Sequence, residues 1–257
     1  MKIIHSVKFI ESIWHFPWDC VRIKNSCKSW KRKDKGMKAG ICYIVGAGEN
    51  YGLEIRPNED DFVVAVDAGY RLLEEQGIGI DLVIGDFDTL QYIPAHPNVI
   101  VLKAEKDDTD MLAAIREGIR AGYGKFHIYC GTGGRLDHTV ANMQLLADLS
   151  RYGRQGFLID RDSVVTAITD STLFFPGEAS GYVSVFSHTE KSEGVYLKGL
   201  KYPLEDAVLD NHFPLGISNE FTEAESSISV RRGTLLVFFP RDCFGNGVPA
   251  ERKEPGS

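Results

Sequence analysis

Two carboxylates, Asp86 and Asp88, flank Phe87 in the stretch IGDFDTL (residues 84–90), at the end of an apolar run. If the run is a strand that continues through them, alternation turns both aspartates to one face and Phe87 to the other. Two like charges on one face repel unless a cation lies between them. A second acidic group follows in EKDDTDMLAAI (residues 105–115), where Asp107, Asp108 and Asp110 crowd the end of another apolar run. Thr109 or Asp108 is suited to cap a helix that begins near Asp110, because both side chains accept hydrogen bonds from unpaired first-turn amides. Capping accounts for one or two of these acids and a bound cation for the others, and this cluster alone leaves both readings open. Mg²⁺ is the natural cation, since it prefers hard oxygen ligands and is usually held by one or two carboxylates together with substrate phosphates.

The third chemical stretch is GTGGRLDHTVANMQLL (residues 131–146). Gly131, Gly133 and Gly134 around Thr132 let the backbone approach a ligand closely and present amides to an anion ahead of a helix N-terminus. Arg135 adds a planar cationic fork suited to phosphate. Asp137, His138 and Asn142 lie a helical turn or less apart, so they can line one wall of a site. The stretch is neither the Walker phosphate loop nor the GxGxxG dinucleotide fingerprint. GAGEN (residues 46–50) also follows an apolar run, and reads equally as a tight turn or a phosphate contact. His138 stands alone at a helix start, where a capping or structural role is the simpler reading. The other histidines show no zinc-ligand spacing.

Elements of two kinds must position these residues. ICYIVGAG, DFVVAVDAG, DLVIGDFD, NVIVLKAE and KFHIYCGTGG are short apolar runs that end at Gly or an acid, and helix-like YRLLEEQG and TDMLAAIREGIRAG separate several of them. Buried strands alternating with helices predict an α/β domain with a mostly parallel, Rossmann-like sheet, which binds ligands beyond the carboxyl ends of its strands. Asp67, Asp86, Asp88 and the loop at 131–134 all fall at such ends. Beyond about residue 155 the segments are strand-length and divided by Gly, Pro, Ser and Asn, with only PLEDAVLD reading as a short helix. This predicts an all-β second domain, a sandwich or barrel. The expected organisation is a basic N-terminal extension over 1–36, an α/β domain over 37–153, a β-sandwich over 154–242 and a flexible tail over 243–257.

The charge is unevenly spread. Residues 1–38 hold ten Lys or Arg against Glu11, Asp19 and Asp34, a balance of +7, so with a net charge of -7 the rest carries -14. An acidic body of that size argues against nucleic-acid binding. The basic head reads either as an extension dispensable to the domain that starts near Met37 or as a basic arm. No apolar run approaches the ~18–20 residues that span a bilayer, so no membrane association is expected. Cys20, Cys27, Cys42, Cys130 and Cys243 match no zinc or disulfide pattern and fit reduced core thiols in the cytoplasm.

Acids, a glycine-rich loop and an arginine at one sheet edge suit a nucleoside triphosphate with Mg²⁺ and transfer of a phosphoryl or diphosphoryl group. With VDAGYRLLEEQGIGIDLVIGDFDTL, EKDDTDMLAAI and GTGGRLDHTVANMQLL in that order, followed by LKGLKYPLEDAVL and GISNEF, the chain resembles the thiamine pyrophosphokinase family from about residue 41 to 239. The resemblance implies ATP and thiamine as substrates, and a homodimer with the thiamine site between subunits. It implies Asp86, Asp88 and Asp110 as Mg²⁺ and diphosphate-handling acids, with Asp67, Asp107 and Thr109 nearby and Asp137 after the glycine-rich loop. Tyr202 then stands where an aromatic stacks on the thiamine pyrimidine, with Ser218 and Asn219 as polar contacts. Asp110 or Asp137 is left as the acceptor of the hydroxyl proton. Two rivals remain: a diphosphokinase acting on another hydroxymethyl heterocycle such as a pterin, and a non-catalytic thiamine or nucleotide sensor.

Overall fold

The computed structural model describes residues 36–103, 108–245 and 250–252. The expected basic extension, apart from Gly36, therefore lies outside the described residues, as do Asp107, Cys20 and Cys27. The chain opens with β1 (Lys38–Val45), β2 (Phe62–Val66), α1 (Gly69–Glu75), β3 (Leu82–Gly85) and β4 (Val99–Val101). It continues with α2 (Asp110–Arg120), β5 (Tyr123–Tyr129), α3 (Leu136–Arg151) and β6 (Gln155–Ile159). These six strands pair in parallel in the order β6-β5-β1-β2-β3-β4.

Both faces of this sheet are covered, which is why its strands are apolar throughout. Cys42 and Ile44 of β1 enter one core cluster with Ile84, Met111, Ile115 and Leu146, under α2 and α3. The alternate residues Tyr43 and Val45 enter the other cluster with Val83, Leu73 and Phe157. Helix α2 presents Met111, Ala114, Ile115 and Gly118 to the first cluster at helical spacing, and Thr109 caps it by accepting a 3.2 Å bond from the Leu112 amide.

The second half contains β7 (Ser163–Thr169), β8 (Thr172–Phe175), β9 (Tyr182–Ser187), β10 (Lys191–Lys198), β11 (Leu204–Asp210), β12 (Gly216–Glu220), β13 (Ser226–Arg232) and β14 (Thr234–Pro240). A short helix α4 (Asp242–Gly245) and β15 (Ala250–Arg252) follow. Strand β7 pairs antiparallel with β6, and β14, β9 and β12 extend the same sheet to ten strands in the order β12-β9-β14-β7-β6-β5-β1-β2-β3-β4. The sheet thus crosses residue 153 without a break. A five-stranded antiparallel sheet, β11-β10-β13-β8-β15, packs on its antiparallel half, and Val195, Ile228, Val185 and Val237 share one core cluster between them. The α/β part and the β-sandwich are therefore both present.

Two expectations need correction. PLEDAVLD is strand β11, not a helix. Its pairing with β10 shifts register twice, so the inward residues Leu204, Ala207 and Leu209 lose the strict alternation of a strand and mimic a helical spacing. Nor are the described residues from 243 onward a free tail: Cys243 is buried, Phe244 packs against the rings of His127 and Phe157 at 4.9 and 5.0 Å, and β15 pairs with β8. Of the cysteines, Cys42, Cys130 and Cys243 are buried free thiols. Among the described residues no helix is long and apolar enough to cross a membrane.

His127, in β5, sits in an aromatic box of Tyr43, Phe157 and Phe244, and its buried Nε2 has no partner among the described residues. Burial first, and then the Lys125 charge, pull its pKa from 6.5 down to about 3. The unfolded chain therefore binds the extra proton between these values, so stability is full above pH ~6.5 and declines as the pH falls toward 3. Urea unfolding at several pH values should show His127→Phe gaining on the wild type by about 1.4 kcal/mol per pH unit within that window. A wild-type-to-variant difference that stays flat with pH would exclude this role.

Candidate active site at the carboxyl ends of the parallel strands

Asp67 is the first residue after β2, and β3 stops at Gly85, one residue before Asp86. The strand thus ends too early for alternation to orient Asp86 and Asp88. A turn does it instead: Phe87 adopts a left-handed backbone with φ 60° and drives its ring into the core, 4% exposed. The Gln91 amide donates to the Phe87 carbonyl at 2.9 Å, and the Thr89 hydroxyl donates to Asp88 Oδ1 at 3.0 Å. The outcome is the one alternation predicted, with both acids on one side of the buried ring. Asp67 joins them, and the three residues bring carboxylate oxygens within 4.8 Å of one another.

Asp67 is 6% exposed and its Oδ1 has no hydrogen-bond partner among the described residues. Burial raises its pKa most; a Thr89 hydrogen bond opposes this, and the charges of Asp88, Asp86 and Asp110 raise it further. A buried, unpartnered carboxylate oxygen among like charges is costly unless a cation completes it. Three hard oxygen donors fit Mg²⁺. Asp110, expected as the third ligand, begins α2 and is felt by Asp67 but lies outside this group of three. Asp108 instead pairs with Arg116 at 2.5 Å.

The glycine-rich loop joins β5 to α3, with Cys130, Gly133 and Gly134 at φ 52°, 79° and 58°. The turn after β1 braces it: the Gly48 and Glu49 amides donate to the carbonyls of Cys130 and Thr132 at 2.8 and 3.1 Å. A Cβ on Gly48 would lie 2.5 Å from the Thr132 oxygen, so in GAGEN this glycine serves close backbone approach to the loop. Thr132 is buried and donates to Asp160 Oδ1 at 2.7 Å, and buried Asn142 donates to the Gly131 carbonyl at 2.6 Å. Both side chains shape the loop from behind. Asp160 was missed in the sequence, where an acid directly after the run GFLI was its only signal. At the helix start Arg135, Asp137 and His138 are exposed, and Arg135 bonds Asp137 at 2.6 Å. That bond holds Asp137 below the usual carboxylate range.

Tyr202, Ser218 and Asn219 meet at the far edge of the sheet, on and beside β12. Buried Asn219 accepts from the Tyr202 amide at 3.0 Å and donates to its carbonyl at 2.7 Å. Its amide is thus committed to holding the turn that displays the exposed Tyr202 ring. Ser218, at φ 56° in the bulge of β12, is exposed, and its amide donates to Ser184 Oγ at 3.0 Å.

A parallel sheet with carboxylates and a glycine-rich loop at its strand ends, continued into a β-sandwich, suits a two-part enzyme of phosphoryl-group transfer. The family model described as "Thiamin pyrophosphokinase, catalytic domain" matches residues 56–156, and that described as "Thiamin pyrophosphokinase, vitamin B1 binding domain" matches residues 171–235. Thiamine pyrophosphokinase from Bacillus subtilis is 29% identical over 198 residues, 72% of this chain and 90% of the relative. The crystal structure of a Bacillus subtilis thiamine pyrophosphokinase superposes with a TM-score of 0.68 at 27% identity, over 79% of this chain and 99% of that one. That from Geobacillus thermodenitrificans does so with a TM-score of 0.65 at 31% identity, over 79% and 98%. The chain belongs to the thiamine pyrophosphokinase family.

Asp67→Asn keeps the side-chain shape and tolerates the left-handed backbone at φ 47° while removing the buried charge. In metal-free buffer its melting midpoint should exceed that of the wild type by ~2–4 °C, the shift expected for about 1 kcal/mol in a chain of this size. Millimolar Mg²⁺ should then raise the wild-type midpoint and leave the variant's unchanged; an equal response from both would remove Asp67 from the metal site.

Proposed function

We propose that the chain transfers the diphosphoryl group of ATP to the primary hydroxyl of thiamine, giving thiamine diphosphate and AMP. What carries this reading is the gathering of Asp67, Asp86 and Asp88 within the stretch matched by the catalytic model, in a chain whose β part matches the vitamin B1 binding model. The thiamine oxygen attacks the β-phosphorus in line, the bond from that phosphorus to the α-phosphate bridging oxygen breaks, and AMP leaves with the electron pair. Asp67, Asp86 and Asp88 would hold Mg²⁺, and the Asp110 charge, felt at Asp67, would add to the pull on the cation. When bound, the ion offsets the charge of the phosphate oxygens. The amides of 131–134 and the start of α3 face the phosphates, and Arg135 exchanges Asp137 for a phosphate oxygen. The hydroxyl proton passes to Asp110 or Asp137. Tyr202 stacks on the thiamine pyrimidine, the Ser218 hydroxyl contacts it, and Asn219 fixes the Tyr202 main chain. The vitamin B1 match over these residues disfavours the pterin-type rival, and the full acid cluster disfavours a sensor. Buried free thiols suit a reducing compartment, the cytoplasm.

Sheet order supports a homodimer with the thiamine site between subunits. Strand β12, beside Tyr202, and β2, before Asp67, are seven positions apart in the ten-stranded sheet. At ~4.8 Å per strand the separation is on the order of 30 Å, too far for one protomer's Tyr202 to serve its own carboxylates. The β11–β12 edge also exposes Val208, Phe213, Leu215 and Ile217, with Tyr182 of the neighbouring β9, an apolar surface that a second copy would cover.

Incubation with ATP, Mg²⁺ and thiamine should yield AMP and thiamine diphosphate in equal amounts; ADP with thiamine monophosphate, or no thiamine-dependent AMP, sinks the reading. Asp88→Asn and Tyr202→Ala should each be nearly inactive as homodimers. Mixed and allowed to exchange subunits, they should recover about a quarter of wild-type activity, because half the dimers then hold one site free of both substitutions. No recovery under proven exchange would place both residues in the same protomer's site.

A further inference from the structure

Arg241 follows β14, and its side chain is only 12% exposed. Its Nη1 donates to the carbonyls of Tyr51 and Asp160 at 2.9 and 3.1 Å, while Nη2 donates to the Gly52 carbonyl at 2.9 Å and to Glu54 Oε1 at 3.2 Å. One guanidinium therefore ties the chain after β1 to the turn after β6, across sequence separations of 190 and 81 residues. Those two segments also carry the supports of Thr132 in the glycine-rich loop. The Glu49 amide, two residues before Tyr51, donates to the Thr132 carbonyl, and the Asp160 carboxylate accepts the Thr132 hydroxyl. Release of the clamp loosens both supports together, while the loop's base stays held by Gly48 and Asn142.

Arg241, Asp160 and Tyr51 lie outside both stretches matched by the family models, so the family match does not account for the clamp. Its geometry suits arginine, because the planar fork keeps Nη1 on the Tyr51 and Asp160 carbonyls while Nη2 holds Gly52 and Glu54, four acceptors in one plane-fixed arrangement, whereas a lysine ammonium is a compact point charge with three donors. We infer that Arg241 is a positioning residue that sets the glycine-rich loop for the phosphates of the nucleotide. The inference rests on the diphosphotransfer reading above.

The test compares wild type, Arg241→Lys, Thr132→Val and the double variant as full chains, by calorimetric titration with ATP and Mg²⁺ in the absence of thiamine and by steady-state kinetics. Arg241→Lys should raise KM for ATP and weaken ATP binding about tenfold or more, the scale of losing one or two charge-assisted hydrogen bonds. KM for thiamine should stay unchanged, and the double variant should bind ATP no more weakly than the weaker single variant. Wild-type ATP affinity in Arg241→Lys, equal losses for ATP and thiamine, or additive effects in the double variant would each overturn the inference. If Arg241→Lys does not fold, Thr132→Val carries the test alone, and normal ATP affinity in it overturns the inference. A wild type that binds ATP without making thiamine diphosphate defeats only the reaction assignment, since the binding comparison still reads the clamp; one that binds no ATP defeats both.

Discussion

Negative charge gathered at the ends of adjacent parallel strands, buried at Asp67 and open to solvent at Asp88, is the constraint around which the rest of the α/β part is organised. Asp67 is buried with one oxygen unpartnered among the described residues, and Asp86 and Asp88 bring their carboxylates up beside it. Such an arrangement raises the energy of the free protein and persists only because the surrounding sheet over-determines it. The backbone carries part of that cost: Asp67, Phe87 and Cys130 all adopt positive φ directly at or just beyond the ends of β2, β3 and β5. None is glycine, so each turn is a position where local preference has been overridden by packing on either side. The buried Phe87 ring shows how: its insertion into the core leaves Asp86 and Asp88 with nowhere to go but the ligand side.

The same sheet imposes a second constraint through its length. Ten strands laid edge to edge place the acids near one end and the display of Tyr202 at the other. Continuity across β6 and β7 makes the two halves one core, with Phe157 and Val164 in the same cluster as Val45 and Val237. A shared core of this kind ties the two halves of the sheet together. On the proposed reaction, a second copy of the chain would bring the two ends together.

Within the glycine-rich loop, polar side chains that look like ligand contacts are largely directed inward. Thr132 and Asn142 are buried and spend their hydrogen bonds on Asp160 and Gly131, just as Asn219 spends its amide on Tyr202. What such residues contribute is the shape of the backbone, and for an anion site the backbone amides are themselves the recognition element.

Much of this was legible from residue order alone. Apolar runs ending in Gly or Asp identify strands buried on both faces, because only such strands lack a polar alternation, and Thr109 or Asp108 announced the start of α2 because capping is a local interaction, with Thr109 the one that caps it. The acids and the glycine-rich loop followed from the same reading, since the topology of a parallel sheet sends every strand's carboxyl end to one edge. The family resemblance put Asp110 with Asp86 and Asp88, whereas the acid that packing gathers with that pair is Asp67, from the end of a neighbouring strand. Sequence misread PLEDAVLD, whose bulged pairing with β10 hides the period of a strand, and the segment after Asp242, whose Phe244 docks against His127 more than a hundred residues away. It also gave no sign of Arg241 as a clamp, since the carbonyls it binds belong to segments 81 and 190 residues distant. Interactions within a turn or a strand are written in neighbouring residues; those a side chain makes with distant carbonyls or rings leave no mark in the residues around it and exist only once the fold has brought the partners together.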